Sequence, residues 1–191
     1  TDQTEQGLSS HSQHSDLLWA LETLAWSPTY FGTAIDLLAR LDQIDPGGRL
    51  SNRPIGSLTS ILRPWHPDTS VNAEGRMRAF DAVRRRHPDT AWRLGITLMP
   101  ESHGVHFPTR SPAFRQWKPS KTSISMGEYG SWVSELVERL LEDADYSAPR
   151  WLELFDRYSS LHPQDRAKTR EALAAVVAEG RFTAEGRVQL W

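Results

Sequence analysis

The side chains best able to do metal chemistry here are histidines, since the chain has seven of them and no cysteine. His11 and His14, and again His103 and His106, stand three residues apart, the spacing of paired metal ligands. A zinc site takes three or four ligands, and a catalytic histidine pair on a helix usually has a glutamate between its members. The first pair lies in a polar lead-in, and the second in a Pro/Gly-containing loop where spacing does not fix geometry. Acid–base catalysis needs two carboxyl groups converging on one pocket. The acids of this sequence are instead scattered over polar helix faces, and Glu142, Asp143 and Asp145 read as a solvated helix end. No phosphate-binding loop, dinucleotide fingerprint, nucleophile elbow or kinase motif occurs, and Ser123-Ile124-Ser125-Met126-Gly127 matches no nucleophile motif. The residues therefore predict a chain without a cofactor, a bound metal or a catalytic constellation of its own.

Charge placement is more informative than charge total. The net formal charge is −2, against a dedicated nucleic-acid binder, yet it is unevenly spread. Residues 1–75 carry 4 basic and 9 acidic side chains, residues 76–127 carry 10 and 3, and residues 128–191 carry 8 and 12. The central band is thus basic between acidic flanks. Its residues 102–123 contain no acid, and set Phe107, Phe114 and Trp117 among Arg110, Arg115, Lys118 and Lys121. Basic and aromatic residues in alternation can follow a phosphate backbone and stack on bases. Acidic flanks on both sides favour the other reading, in which the band meets an acidic face of this chain or of a neighbouring domain. The candidate contact surface comprises Arg84, Arg85, Arg86, Arg110, Arg115, Trp117, Lys118 and Lys121. The aromatics of the loop are expected to fold back against the helices, with Trp117 largely buried.

The elements that must position these residues are helical. Hydrophobic residues make up 38% of the chain and charged residues 24%, the balance of a globular protein. Ser15 reads as an N-cap ahead of Leu17, Leu18, Leu21, Leu24 and Ala25 at helical spacing. Pro28 ends that helix and opens the next, which carries Tyr30, Ala34, Leu37, Leu38 and Leu41 and stops at Asp45-Pro46-Gly47-Gly48. A short helix follows from Pro54 to about Arg63, then one over 73–87 with Met77, Phe80 and Val83 inward and Arg76, Arg84, Arg85 and Arg86 outward. Pro88 and Asp89 start another through Leu98, carrying Trp92, Ile96 and Met99. Past the proline-rich stretch, three more apolar stripes appear: Trp132, Val133, Leu136, Val137, Leu140 and Leu141; then Trp151, Leu154, Phe155 and Tyr158; then Leu173, Ala174 and Val177, closed by Gly180. Eight tryptophans, most of them inside these periodic stretches, read as anchors of helix–helix contacts.

No stretch alternates with period two. The prediction is all-α: stacked antiparallel helical hairpins, α-solenoid-like in the manner of HEAT or TPR arrays. Residues 1–14 form a flexible lead-in, 15–99 one helical lobe, 100–123 a basic and aromatic proline-rich connection, and 124–191 a second lobe. A connection of that length inside a compact domain is uncommon, so it is a linker or a functional loop. His-Pro recurs at 66–67, 87–88 and 162–163, which is shared turn chemistry: a helix stop, a proline and an acidic or polar start. No apolar run reaches the roughly 20 residues of a membrane helix. The absence of an initiator methionine, of a signal pattern and of cysteine predicts a segment of a longer cytoplasmic protein.

The stretch Leu17-Leu18-Trp19-Ala20-Leu21-Glu22-Thr23-Leu24-Ala25-Trp26-Ser27-Pro28-Thr29-Tyr30, with Leu41 to Gly48 and Asn52-Arg53-Pro54-Ile55, resembles the helical-repeat region of large uncharacterised bacterial multidomain proteins. In those, such a region follows an effector or nucleotide-hydrolysing module, and some act in defence against phage. The resemblance covers roughly residues 15–118 and rests on apolar and turn residues, so it transfers no catalytic position. It implies a non-catalytic scaffold or sensor segment whose partners are neighbouring domains or another macromolecule. Two alternatives remain: a nucleic-acid-contacting module using the band 76–127, and a hydrolase or metal enzyme with an unfamiliar motif.

Overall fold

The computed structural model describes residues 13–47, 52–101, 112, 117 and 124–182. Eight helices run along the described chain: α1 (Gln13–Leu24), α2 (Pro28–Gln43), α3 (Pro54–Leu62), α4 (Ala73–Arg86), α5 (Pro88–Leu98), α6 (Met126–Ala144), α7 (Ala148–Tyr158) and α8 (Pro163–Ala178). No strand occurs among the described residues, so the chain is all-α.

Proline sets most of the helix starts. It stands within the first two positions of α2, α3, α5, α7 and α8, where its missing N–H would have had no helical acceptor. The start of α6 has a different signal. Ser125 accepts from the backbone N–H of Glu128, and the Glu128 carboxylate accepts from the Ser125 backbone N–H at 2.8 Å, a capping box encoded by the Ser-x-x-Glu spacing. Asn72 caps α4 by accepting from the Gly75 N–H at 2.8 Å. Gly180, with φ +66°, ends α8 in the left-handed region that a glycine enters without a Cβ penalty.

The helices pack around one hydrophobic cluster. Leu18, Leu21 and Ala25 of α1 meet Phe31, Ile35 and Leu38 of α2, with Leu58, Ile61 and Leu62 of α3. Phe80 of α4 and Leu94 of α5 continue that cluster into Trp132, Leu136 and Leu140 of α6 and Trp151 and Leu154 of α7. At Gly95 α5 lies close against α6: a Cβ there would lie 2.6 Å from Leu140 Cδ2. The segment between α3 and α4 is fastened to the α1–α2 turn, with the Thr69 hydroxyl donating to the Ala25 carbonyl at 2.6 Å and Ser70 donating to that of Trp26 at 2.5 Å.

The fold corrects several sequence expectations. Ser15 is not an N-cap, because α1 already begins at Gln13. Leu17, Leu24, Tyr30 and Leu37 are exposed, because the apolar residues of α1 and α2 cover more than the single face that meets the core. Arg76, expected outward, is only 3% exposed. In α8 the expected stripe meets the core only in part: Leu173 is half-buried against it, while Ala174 and Val177 are exposed. The residues that α8 buries are Asp165 and Thr169, and Asp165 accepts a short hydrogen bond from Ser134 of α6. The run Leu173-Ala174-Ala175-Val176-Val177 is continuous rather than periodic, so a helix packing on one neighbour must turn half of it outward.

Candidate interaction surface

Among the described residues of the basic band, Arg84 sits at the seam between α4 and α6, and helical spacing decides what it meets. Positions three and four apart share a face. Met77 and Phe80 of α4 point into the core, so Asp81 and Arg84 flank that face and reach α6. Arg84 donates from Nε to Asp143 Oδ2 and from Nη2 to Asp143 Oδ1, each at 2.8 Å, and Nη2 also reaches Glu142 Oε2 at 3.0 Å and the Arg139 carbonyl at 3.2 Å. In the opposite sense, Arg139 of α6 donates from Nε and Nη2 to the two carboxylate oxygens of Asp81, at 2.6 and 2.9 Å. Two fork-to-carboxylate pairs of reversed polarity thus tie α4 to α6, the geometry for which a guanidinium is better suited than an ammonium.

These pairs reset the charges of their members. Burial alone would raise the Asp81 carboxyl, but the hydrogen bonds and charges of Arg139 and Arg84 hold it below its ordinary value. The hydrogen bond to Asp143 drives Arg84 further toward its charged form, against the effect of burial. Arg139 moves the same way through its bond to Asp81.

Most of the rest of the described band is likewise engaged within the chain. Arg86 pairs with Asp36 of α2 at 2.8 Å, and the same Asp36 oxygen lies 3.2 Å from His87 Nε2. Arg93 reaches the buried Asp42 at 2.5 Å, which also accepts from Thr90 at 2.7 Å. Arg85 is exposed and has no ion pair among the described residues. Trp117 is partly buried and stands edge-on to Tyr30 of α2, with ring centroids 6.2 Å apart. Arg110, Arg115, Lys118, Lys121, Phe107, Phe114, His11, His103 and His106 lie outside the described residues.

Arg76 has a different environment. Its Nη1 donates to the Val71 carbonyl at 2.8 Å, while Nε and Nη2 are buried without a partner. Burial with no neighbouring carboxylate pushes the guanidinium down to about 10. No periodicity argument finds such a residue, because arginine on a helix with four other arginines reads as a solvated face.

Two grooves follow the α4–α6 seam. One is lined by the charged network itself, including Asp81, Arg84, Arg85 and Asp143. The other, about 500 Å³, lies toward the start of α6 with Met77 and Trp132 among its lining and Glu74, Arg78, Glu128 and Glu135 around it. Trp132 is 3% exposed, and its indole Nε1–H has no acceptor among the described residues. Among the described residues, no three His, Asp or Glu side chains converge as a metal-binding set, and no helix is long and apolar enough to cross a membrane. Comparison with protein-family models, with curated proteins and with solved structures found no match.

Proposed function

We propose that this chain is a non-catalytic helical scaffold that presents an interaction surface to a protein partner, such as a neighbouring domain of a longer protein. The observation that carries the reading is the fate of its charged side chains. Arg84, Arg86, Arg93 and Arg139 are each directed at a carboxylate on another helix, and Asp143, Asp36, Asp42 and Asp81 are their respective partners. Groups arranged for chemistry leave a reactive side chain open to substrate; along the α4–α6 groove Arg84, Arg139, Asp81 and Asp143 are matched to one another. The same engagement leaves the described part of the band little free cationic surface for a phosphate backbone. Meanwhile Leu152 of α7 and Val177 of α8 stay exposed at 40% and 42%. The stacked-hairpin architecture belongs to the same proposal: α1–α2 and α4–α5 are pairs joined by very short turns, and α6 packs against the second pair.

The test places a photo-crosslinking amino acid at Leu152 or Val177 in cells that express the chain, alongside titration of the purified chain with short DNA and RNA across a salt series. Discrete protein adducts, with no salt-sensitive nucleic-acid binding, are expected. Absence of protein adducts together with affinity that falls steeply with salt would replace the scaffold by the nucleic-acid-contacting module.

A further inference from the structure

From the groove at the start of α6, we infer a docking site for an extended peptide segment in which one apolar residue is flanked by lysine or arginine. The inference rests on the scaffold reading and names the surface and the partner chemistry.

Three observations carry it. First, the groove has an apolar part: Met77 from α4 and Trp132 from α6 both line it, with Ala73 beside them. Met77 and Trp132 are each only 3% exposed, so an aliphatic side chain laid there covers a small apolar floor and gains a modest hydrophobic contribution.

Second, the charges around it do not balance. Glu74, Asp81, Glu128 and Glu135 oppose only Arg78 and Arg139. Arg78 is paired with Glu74, and Arg139 with Asp81 at 2.6 Å. Glu135 is 3.6 Å from Arg139, a longer contact than the Asp81 pair, and its side chain is 53% exposed. Glu128 is exposed and faces only the Ser125 cap, whose backbone N–H, then hydroxyl, hold its carboxyl below the ordinary value. Two carboxylates are therefore left for an outside cation. They stand seven residues apart on α6, roughly 10 Å along the helix axis. Alternate residues of an extended peptide are about 7 Å apart, and lysine or arginine stems easily span the difference.

Third, the Trp132 indole N–H is an orphan donor. A buried N–H without an acceptor costs the desolvation of that group, and the penalty is relieved when an acceptor arrives. The nitrogen is shut off from solvent in the unbound chain, so a peptide carbonyl beside the docked apolar residue becomes its acceptor only with a turn of the indole toward the groove. A neutral apolar ligand would leave both carboxylates unused, and an acidic one would be repelled by them.

The experiment uses the full chain, labelled with nitrogen-15, and follows the Trp132 indole N–H signal, assigned through bonds so that no destabilising variant is needed. The probe is the acetylated and amidated tripeptide Lys-Leu-Lys, with Glu-Leu-Glu and Lys-Ser-Lys as controls. Lys-Leu-Lys is expected to shift the Trp132 signal at millimolar concentration. Glu128→Gln with Glu135→Gln is expected to weaken that binding about tenfold, or 1.4 kcal/mol; glutamine at position 128 can still close the capping box. Loss of the response with Lys-Ser-Lys would support the apolar contact. No movement of the Trp132 signal, an equal response to Glu-Leu-Glu, or indifference to the glutamine pair would overturn the inference. Crosslinks at Leu152 or Val177 with a silent Trp132 would remove the groove assignment and leave the scaffold reading in place. Silence in both would remove both.

Discussion

Arg84 and Asp143 lie 59 residues apart in sequence and meet through two parallel hydrogen bonds of 2.8 Å, one to each carboxylate oxygen. The pair joins α4 to α6 across the long connection between α5 and α6, and the reversed pair Arg139–Asp81 stands beside it. Because the Arg84 side chain is only 17% exposed, the pair is shielded from much of the screening that weakens surface ion pairs.

Arg84→Lys keeps the charge and loses the fork. We expect a loss of about 1–3 kcal/mol in urea unfolding, the range for hydrogen bonds to charged groups. A double-mutant cycle with Asp143→Asn should show coupling of the two sites, and additive effects would mean that the contact contributes nothing to stability.

Asp81 supplies a pH dependence. Its folded carboxyl lies below its ordinary value near 3.8, so its contribution to stability is present above that value and is lost as pH falls through the folded one. The stability gap between wild type and Asp81→Asn should be full at neutral pH and shrink progressively below about pH 5. A gap that stays constant into strong acid would show that Asp81 acts through shape rather than charge.

Arg76 should be dispensable for folding. Its guanidinium is buried with two nitrogens unpaired, and replacing a buried charge by a well-packed apolar side chain is often neutral or stabilising by roughly 1–4 kcal/mol. Arg76→Met is therefore expected to raise the unfolding midpoint or leave it unchanged. A base whose folded pKa lies below the unfolded one gains relative stability as pH rises through the folded value. The advantage of the methionine variant should accordingly narrow above about pH 10. A large loss of stability in Arg76→Met at neutral pH would show that its bond to the Val71 carbonyl outweighs its burial.

Leu136 and Leu140 are fully buried, and alanine at either should cost about 2–5 kcal/mol. Leu173, grouped with them by sequence pattern, should cost less than about 1 kcal/mol, because α8 leaves it half-buried. Equal losses at all three positions in chemical denaturation would contradict the placement of α8.

Two glycines should respond in opposite directions. Gly95→Ala forces Leu140 and Phe80 to give way, at an expected cost of about 1–3 kcal/mol. Gly130 lies inside α6 with open space where a Cβ would be, so Gly130→Ala should stabilise by about 0.5–1 kcal/mol. Thermal melts of the two variants on opposite sides of wild type would establish the contrast.

The sequence by itself determined the helical class and most helix boundaries, because those depend on local chemistry: proline at helix starts, period 3.6 in the apolar residues, and Gly180 at a helix end. The capping box at Ser125 and Glu128 is also legible in the sequence as a Ser-x-x-Glu motif. The candidate surface was legible only as a charge imbalance. Sequence shows that residues 76–127 are basic and their flanks acidic; it does not show which carboxylate each arginine meets. Only tertiary packing brought Asp143 to Arg84 and Asp81 to Arg139 across α4 and α6, buried Arg76 and turned half of the α8 apolar run outward. A helix's own sequence fixes which residues share a face, whereas the neighbour that face receives depends on contacts made across tens of residues, and those are decided by tertiary structure.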